Sequence, residues 1–229
     1  MQVNCYKTID FKKYPFAKKI RHHVTATFYI PLNELSVVPR GYPPLIKKED
    51  ADNLFQNGKK ANVLDIGCGK GKFLLSYALE YEKDNILGIE LRTEPVEWIN
   101  NVINGEKIQN ARAIWYSVVN GLDFIDDNSI DKIFYLFPDP WPKLRHHKRR
   151  VFTLRFLEMI YEKMKKNAKL YLATDVDYVN TEQLKILNEF GKFNIKEIIN
   201  RDEWNLPITN KEQFCLEKNI YVYRHICTK

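Results

Sequence analysis

Read from the first residue onward, the chain changes texture near residue 61. Before it, apolar residues recur with no fixed period. After it, short apolar runs alternate with longer amphipathic ones, the signature of strands alternating with helices. Buried strands are predicted at 62–66 (NVLDI), 85–90 (NILGIE), 111–116 (ARAIWY), 130–137 (IDKIFYLF) and 169–174 (KLYLAT). Helices are predicted over 72–83, 94–104, 150–166 and 178–190. The third of these carries Phe152, Phe156, Met159, Ile160 and Met164 as one stripe. Two further strands, near 193–199 and 219–226, follow with no evident helix between them, which predicts a terminal hairpin and an antiparallel strand. The pattern specifies an α/β fold, a doubly wound and mostly parallel sheet whose ligands sit at the carboxyl ends of the strands.

The first 60 residues read as a separate, basic, proline-containing arm, and 61–229 as the catalytic domain. Residues 1–20 alternate basic and aromatic side chains, and residues 31–48 hold four prolines, suiting an ordered loop. No apolar run approaches a membrane span, and the N-terminal stretch has no apolar segment of a secretory signal. Cys5, Cys68, Cys215 and Cys227 are scattered, so neither zinc nor a disulfide framework is expected, and a reducing, cytoplasmic setting fits. A net charge of +7 admits a polyanionic partner without requiring one.

Chemistry concentrates in two stretches. The loop DIGCGKG joins the first strand to the first helix, with Gly67, Gly69 and Gly71 allowing a tight turn under a ligand. Lys72 stands where a dinucleotide fingerprint would need glycine. Asp65 suits a cationic ligand, such as the amino group of S-adenosylmethionine, better than a pyrophosphate. Glu90 closes the second strand where a carboxylate accepts ribose hydroxyls. The second stretch, FPDPWPKLRHHKRR (137–150), sets Asp139 between prolines and follows it with Lys143, Arg145, Lys148, Arg149 and Arg150. Each proline restrains its predecessor to extended backbone, which aims the acid, while the basic block suits phosphates. Trp141 reads equally well as a core plug or a stacking surface. His146 and His147 lack the further ligands a metal would need. A small-molecule methyltransferase would leave the basic block idle, a nicotinamide oxidoreductase is disfavoured by Lys72, and a non-catalytic RNA-binding protein has no need of Asp65 and Glu90.

These residues resemble a family, the class I S-adenosylmethionine-dependent tRNA (guanine-N7-)-methyltransferases, from about Arg21 to the C-terminus. The most specific likeness is the D-P-W-x-K-x-R-H-x-K-R-R block, supported by LDIGCGKGKFLL, by ATD ending the fifth strand and by TNKEQFCLEKNIYVYR. The resemblance implies the seven-stranded methyltransferase sheet, with a tRNA variable-loop guanosine, at position 46, as substrate. It implies cofactor contacts from Asp65, Gly67, Glu90 and Asp139. It implies guanosine contacts from Lys143, Asp175 and the segment Thr209 to Glu212. Ser117 falls where many members carry an adenine-binding pair. Asp139 is the expected catalytic residue, acting as a charge beside the base and not as a proton acceptor. A monomer or homodimer is expected.

Overall fold

In the computed structural model, residues 9–16 and 24–229 are described. The remaining part of the basic–aromatic stretch, Cys5 included, lies outside them. Seven strands form one sheet in the order β3-β2-β1-β4-β5-β7-β6. They are β1 (Val63–Ile66), β2 (Ile86–Glu90), β3 (Ala111–Trp115), β4 (Ile130–Leu136), β5 (Met164–Thr174), β6 (Asn194–Glu197) and β7 (Tyr223–Thr228). β1 to β5 pair in parallel, whereas β7 runs antiparallel to both β5 and β6. The helices are α1 (Lys48–Asp52), α2 (Lys72–Glu80), α3 (Thr93–Gly105), α4 (Leu154–Lys163), α5 (Asp177–Phe190), α6 (Arg201–Trp204) and α7 (Asn210–Glu217).

The central strands read as unbroken apolar runs because both faces are covered. Leu64, Leu87, Ile133 and Leu170 face one layer, built from Phe156, Leu157 and Ile160 of α4 and Leu187 of α5. Val63, Ile86, Phe134 and Tyr171 face the other, against Phe73, Leu74 and Tyr77 of α2 and Ile99, Val102 and Ile103 of α3. Full burial of each such side chain contributes about 1.5–3 kcal/mol.

Two expectations are corrected. The helix anticipated over 150–166 spans only Leu154–Lys163. Thr153 stops its N-terminal extension by taking the cap position, accepting from Phe156 N at 3.2 Å. Residues 144–149 form a separate 3-10 turn, and Met164 opens β5. Phe152 nevertheless packs where the stripe placed it, 5.8 Å from the Phe156 ring, reached from extended chain. The last two strands are also not a simple hairpin, since α6 and α7 lie between them.

The proline-rich arm lies along the domain. Phe28 and Tyr42 are buried. Ser117 Oγ donates to Phe28 O at 2.7 Å, Tyr42 OH to Ile30 O at 2.8 Å, and Leu32 N to Asn120 Oδ1 at 2.7 Å. No helix among the described residues is long and apolar enough to cross a membrane.

Candidate active site

A cavity of about 470 Å³ opens above the carboxyl ends of β1, β2 and β4. Its wall includes Gly67 and Gly69, Glu90 and Arg92, the turn Phe137 to Trp141, Arg149 and Arg150, and Tyr29 from the arm.

The three loop glycines divide the work. Gly67 has φ +79°, and nothing stands within 4 Å of where its Cβ would be, so the approach to its backbone is open. Gly71, also left-handed, does not line the cavity, and a Cβ there would fall 2.4 Å from Ile99 Cγ1. It is a packing glycine between α2 and α3.

Asp65 is buried beneath the loop, and among the described residues its Oδ2 has no hydrogen-bond partner. Burial first, and then repulsion from Glu90, push its carboxyl up to about 8. An unpartnered buried acceptor calls for a donor, and a cationic one would restore the carboxylate. This fits the ammonium of S-adenosylmethionine.

Glu90 is fully engaged. Its Oε2 accepts from Gly69 N at 2.9 Å and Arg92 Nη2 at 3.1 Å, and its Oε1 accepts from Arg92 N at 3.1 Å and Arg92 Nε at 2.9 Å. Any ligand hydroxyl reaching this carboxylate would share it with Arg92. Sequence reasoning misses this arginine, although a basic side chain two positions after a strand-end acid is the available signal. Ser117, expected near the adenine, has its hydroxyl committed to the arm and is not part of the cavity wall, whereas Val118 is.

The turn after β4 is built under strain. Phe137 (φ +52°) and Trp141 (φ +43°), the residues before Pro138 and Pro142, both take left-handed backbone and not the extended backbone expected ahead of a proline, at a cost of about 1–3 kcal/mol each. Phe137 N bonds Ala173 O at 2.7 Å, and Arg150 Nη2 donates to Trp141 O at 3.0 Å, so the strain is held from both sides. Between these anchors Asp139 lines the cavity and is exposed to solvent. Trp141 is buried, as a core plug would be, and it also forms cavity wall.

The basic block splits in two. Lys143, Arg145 and Lys148 are exposed. Arg149 turns inward, its guanidinium 4.5 Å from the Trp141 ring centroid, and Arg150 pairs with Glu182 on α5. The exposed three present their charge to solvent, Arg145 Nε also donating to His146 Nε2 at 3.3 Å. Replacing Lys143, Arg145 and Lys148 together with Ala is expected to weaken tRNA binding and to lower the log–log salt slope by roughly 0.7–0.9 for each phosphate no longer neutralised. Filter binding across a salt series checks this, and an unchanged slope would leave the trio as a solvated face.

Asp175, Thr209 and Glu212 do not line this cavity. Asp175 Oδ2 pairs with Lys211 Nζ at 2.7 Å. Thr209 Oγ1 accepts from Glu212 N at 2.9 Å and caps α7. Glu212, 1% exposed, accepts from Arg224 Nη2 and Arg201 Nε, each at 2.8 Å, tying α6 and α7 to β7. Among the described residues no cluster of three or more His, Cys, Asp or Glu side chains forms a metal site.

A doubly wound sheet of this order, with an open glycine loop, a buried unpartnered acid and a ribose-height carboxylate, defines a Rossmann-like S-adenosylmethionine-dependent methyltransferase. Comparison with known proteins agrees. The family described as "Putative methyltransferase" matches residues 59–224. A solved structure described as an antibiotic-related methyltransferase shares the fold at TM-score 0.56 and 17% identity, covering 82% of this chain and 96% of its own. The tRNA (guanine-N(7)-)-methyltransferase of Buchnera aphidicola subsp. Baizongia pistaciae is 36% identical over 149 residues, 65% of this chain and 60% of that protein. The enzyme of that name from Lactobacillus gasseri is 31% identical over 181 residues, 78% of this chain and 80% of its own length. The chain belongs to the tRNA (guanine-N(7)-)-methyltransferase family.

Proposed function

We propose that this enzyme transfers the methyl group of S-adenosylmethionine to N7 of a guanosine in tRNA, at position 46 of the variable loop, in the cytoplasm. The observation that carries the reading is one cavity with Glu90 and the glycine loop in its wall, Asp65 buried beneath that loop, and the strained Asp139 turn also in the wall, backed by exposed Lys143, Arg145 and Lys148.

The chemistry asks little of proton transfer. Guanine N7 carries a lone pair and attacks the electrophilic methyl directly, so the protein supplies orientation and electrostatics. S-adenosylmethionine supplies the activated methyl group. Asp65 and Glu90 hold its ammonium and ribose, and Asp139 faces the purine as positive charge arrives there. The exposed cations hold the RNA backbone, which sets register without reading bases. Incubation of unmodified tRNA with labelled cofactor, followed by nucleoside mass spectrometry, should yield labelled 7-methylguanosine. Label in another nucleoside, or none, rejects the reading.

Asp65 gives the reaction a pH signature in binding and not in chemistry. With its carboxyl raised to about 8 in the free protein, it is neutral below that pH, and binding the cofactor ammonium must expel its proton. Cofactor affinity should therefore rise between about pH 6 and 8, with protons released on binding, while the rate at saturation stays flat. The same raised carboxyl favours the free fold at low pH and withdraws that contribution as pH climbs through about 8. The thermal shift caused by cofactor should grow over this range. Calorimetry in buffers of different ionisation enthalpy counts the protons; a pH-independent affinity would overturn the assignment of Asp65.

A further inference from the structure

One wall of the cavity comes from outside the sheet, from a residue that neither the glycine loop nor the acid turn accounts for. Tyr29 lines the cavity, and the backbone around it is fixed from four directions. Ser117 holds Phe28 O, Tyr42 holds Ile30 O, Asn120 holds Leu32 N, and Arg155 pairs with Glu34 at 2.8 Å. None of these bonds uses the Tyr29 side chain. Its ring meets Trp141 edge-on, with centroids 5.9 Å apart and planes at 77°. Asp139 and Glu90 face it as negative charges, Arg149 and Arg92 as positive ones, so it sits between the cofactor end and the acid turn. Burial, reinforced by Asp139 and Glu90, pushes the phenol above its ordinary pKa and keeps it neutral. Among the described residues its hydroxyl has no hydrogen-bond partner. The protein has thus anchored a stretch of arm so that one neutral O–H reaches the cavity.

We propose that Tyr29 is a positioning residue for the acceptor base, its phenol donating to the carbonyl oxygen at C6 of the guanine so that the neighbouring N7 faces the methyl group. Guanine presents N7 and O6 as adjacent acceptors, whereas adenine presents an amino donor beside N7. A donor placed on O6 leaves the N7 lone pair free and favours guanine. Trp141, edge-on to the tyrosine, forms the adjoining wall. This role rests on the guanosine reading given above, and it makes the arm part of the active site.

The test pairs enzyme variants with substrate variants. Wild-type, Tyr29→Phe and Tyr29→Leu enzymes are compared under single-turnover conditions on tRNA carrying either guanosine or 2-aminopurine at the methylated position. The second base keeps N7 and lacks O6. Tyr29→Phe should slow transfer to guanosine by about 3- to 10-fold, the range for one neutral hydrogen bond. It should leave transfer to 2-aminopurine, and cofactor affinity, unchanged, because loss of either partner already removes the interaction. Tyr29→Leu, which also removes the ring, should slow both substrates. If Tyr29→Phe slows both substrates equally, or neither, the O6 hydrogen bond is rejected. If the wild-type enzyme forms no 7-methylguanosine at all, the parent reading falls and this one with it.

Discussion

Asp139→Asn should slow single-turnover methyl transfer by about 10²–10³, comparable to removing a preorganised electrostatic group elsewhere. The substitution keeps the shape of the side chain and removes only its charge. The charge matters because, in the proposed reaction, methylation moves a positive charge from the sulfonium to the purine, and Asp139 lines the cavity proposed to hold both. Its aim is set by the backbone. Pro138 and Pro140 flank it, and the left-handed residues Phe137 and Trp141 bracket the turn. Cofactor and tRNA affinities should change far less than the rate, since the interaction strengthens as the reaction proceeds. Rapid-quench measurement at saturating cofactor checks the rate, and calorimetry the affinities. A rate near that of the wild-type enzyme would remove Asp139 from the chemistry.

The largest expected effect on stability belongs to Glu212. Its carboxylate is nearly inaccessible and holds both Arg224, 6% exposed, and Arg201. Glu212→Ala strands the Arg224 guanidinium, whose Nε already lacks a partner among the described residues. Breaking a buried pair from one side costs about 3–5 kcal/mol, and each kcal/mol shifts the melting temperature of a chain this size by roughly 2–4 °C. Thermal unfolding should therefore show a drop on the order of 10 °C, with Glu212→Gln less affected because its amide oxygen still accepts one bond. Wild-type melting with a depressed methylation rate would instead place Glu212 against the RNA, the role its family resemblance implies.

The strands that frame the site are legible in the sequence because β1 to β5 are covered on both faces, and such strands appear as dense apolar runs. Asp65, Glu90 and Asp139 are legible for a related reason: each stands in the last two residues of a strand or in the turn just after one, where polar side chains are conspicuous against what precedes them. The helices α6 and α7 are not. They are short and polar, and their signals are caps: Asn200, whose side chain accepts from Asp202 N, and Thr209, which accepts from Glu212 N. In the sequence, Thr209 and Glu212 resemble binding residues, yet the capping pattern itself marks a helix start. Nor does a run of like charges disclose its direction. Arg149 and Arg150 turn inward because Trp141 and Glu182 are there to receive them, an arrangement set by tertiary structure. Tyr29 is the extreme case, since its place depends on Ser117, Asn120 and Tyr42 holding the backbone beside it, through bonds that span up to 89 residues of chain.

The order of the strands also sets an order of assembly. β6 lies at the sheet edge and pairs only with β7, which follows it in the chain and wedges between β5 and β6. As the chain emerges, β1 to β5 can zip together from neighbours already made, but β6 must wait through the length of α6 and α7 for the one strand that can receive it. The half of the sheet that holds the cofactor loop and the acid turn is thus complete first, and the helices carrying Thr209 and Glu212 are secured last, when β7 brings Arg224 beneath them.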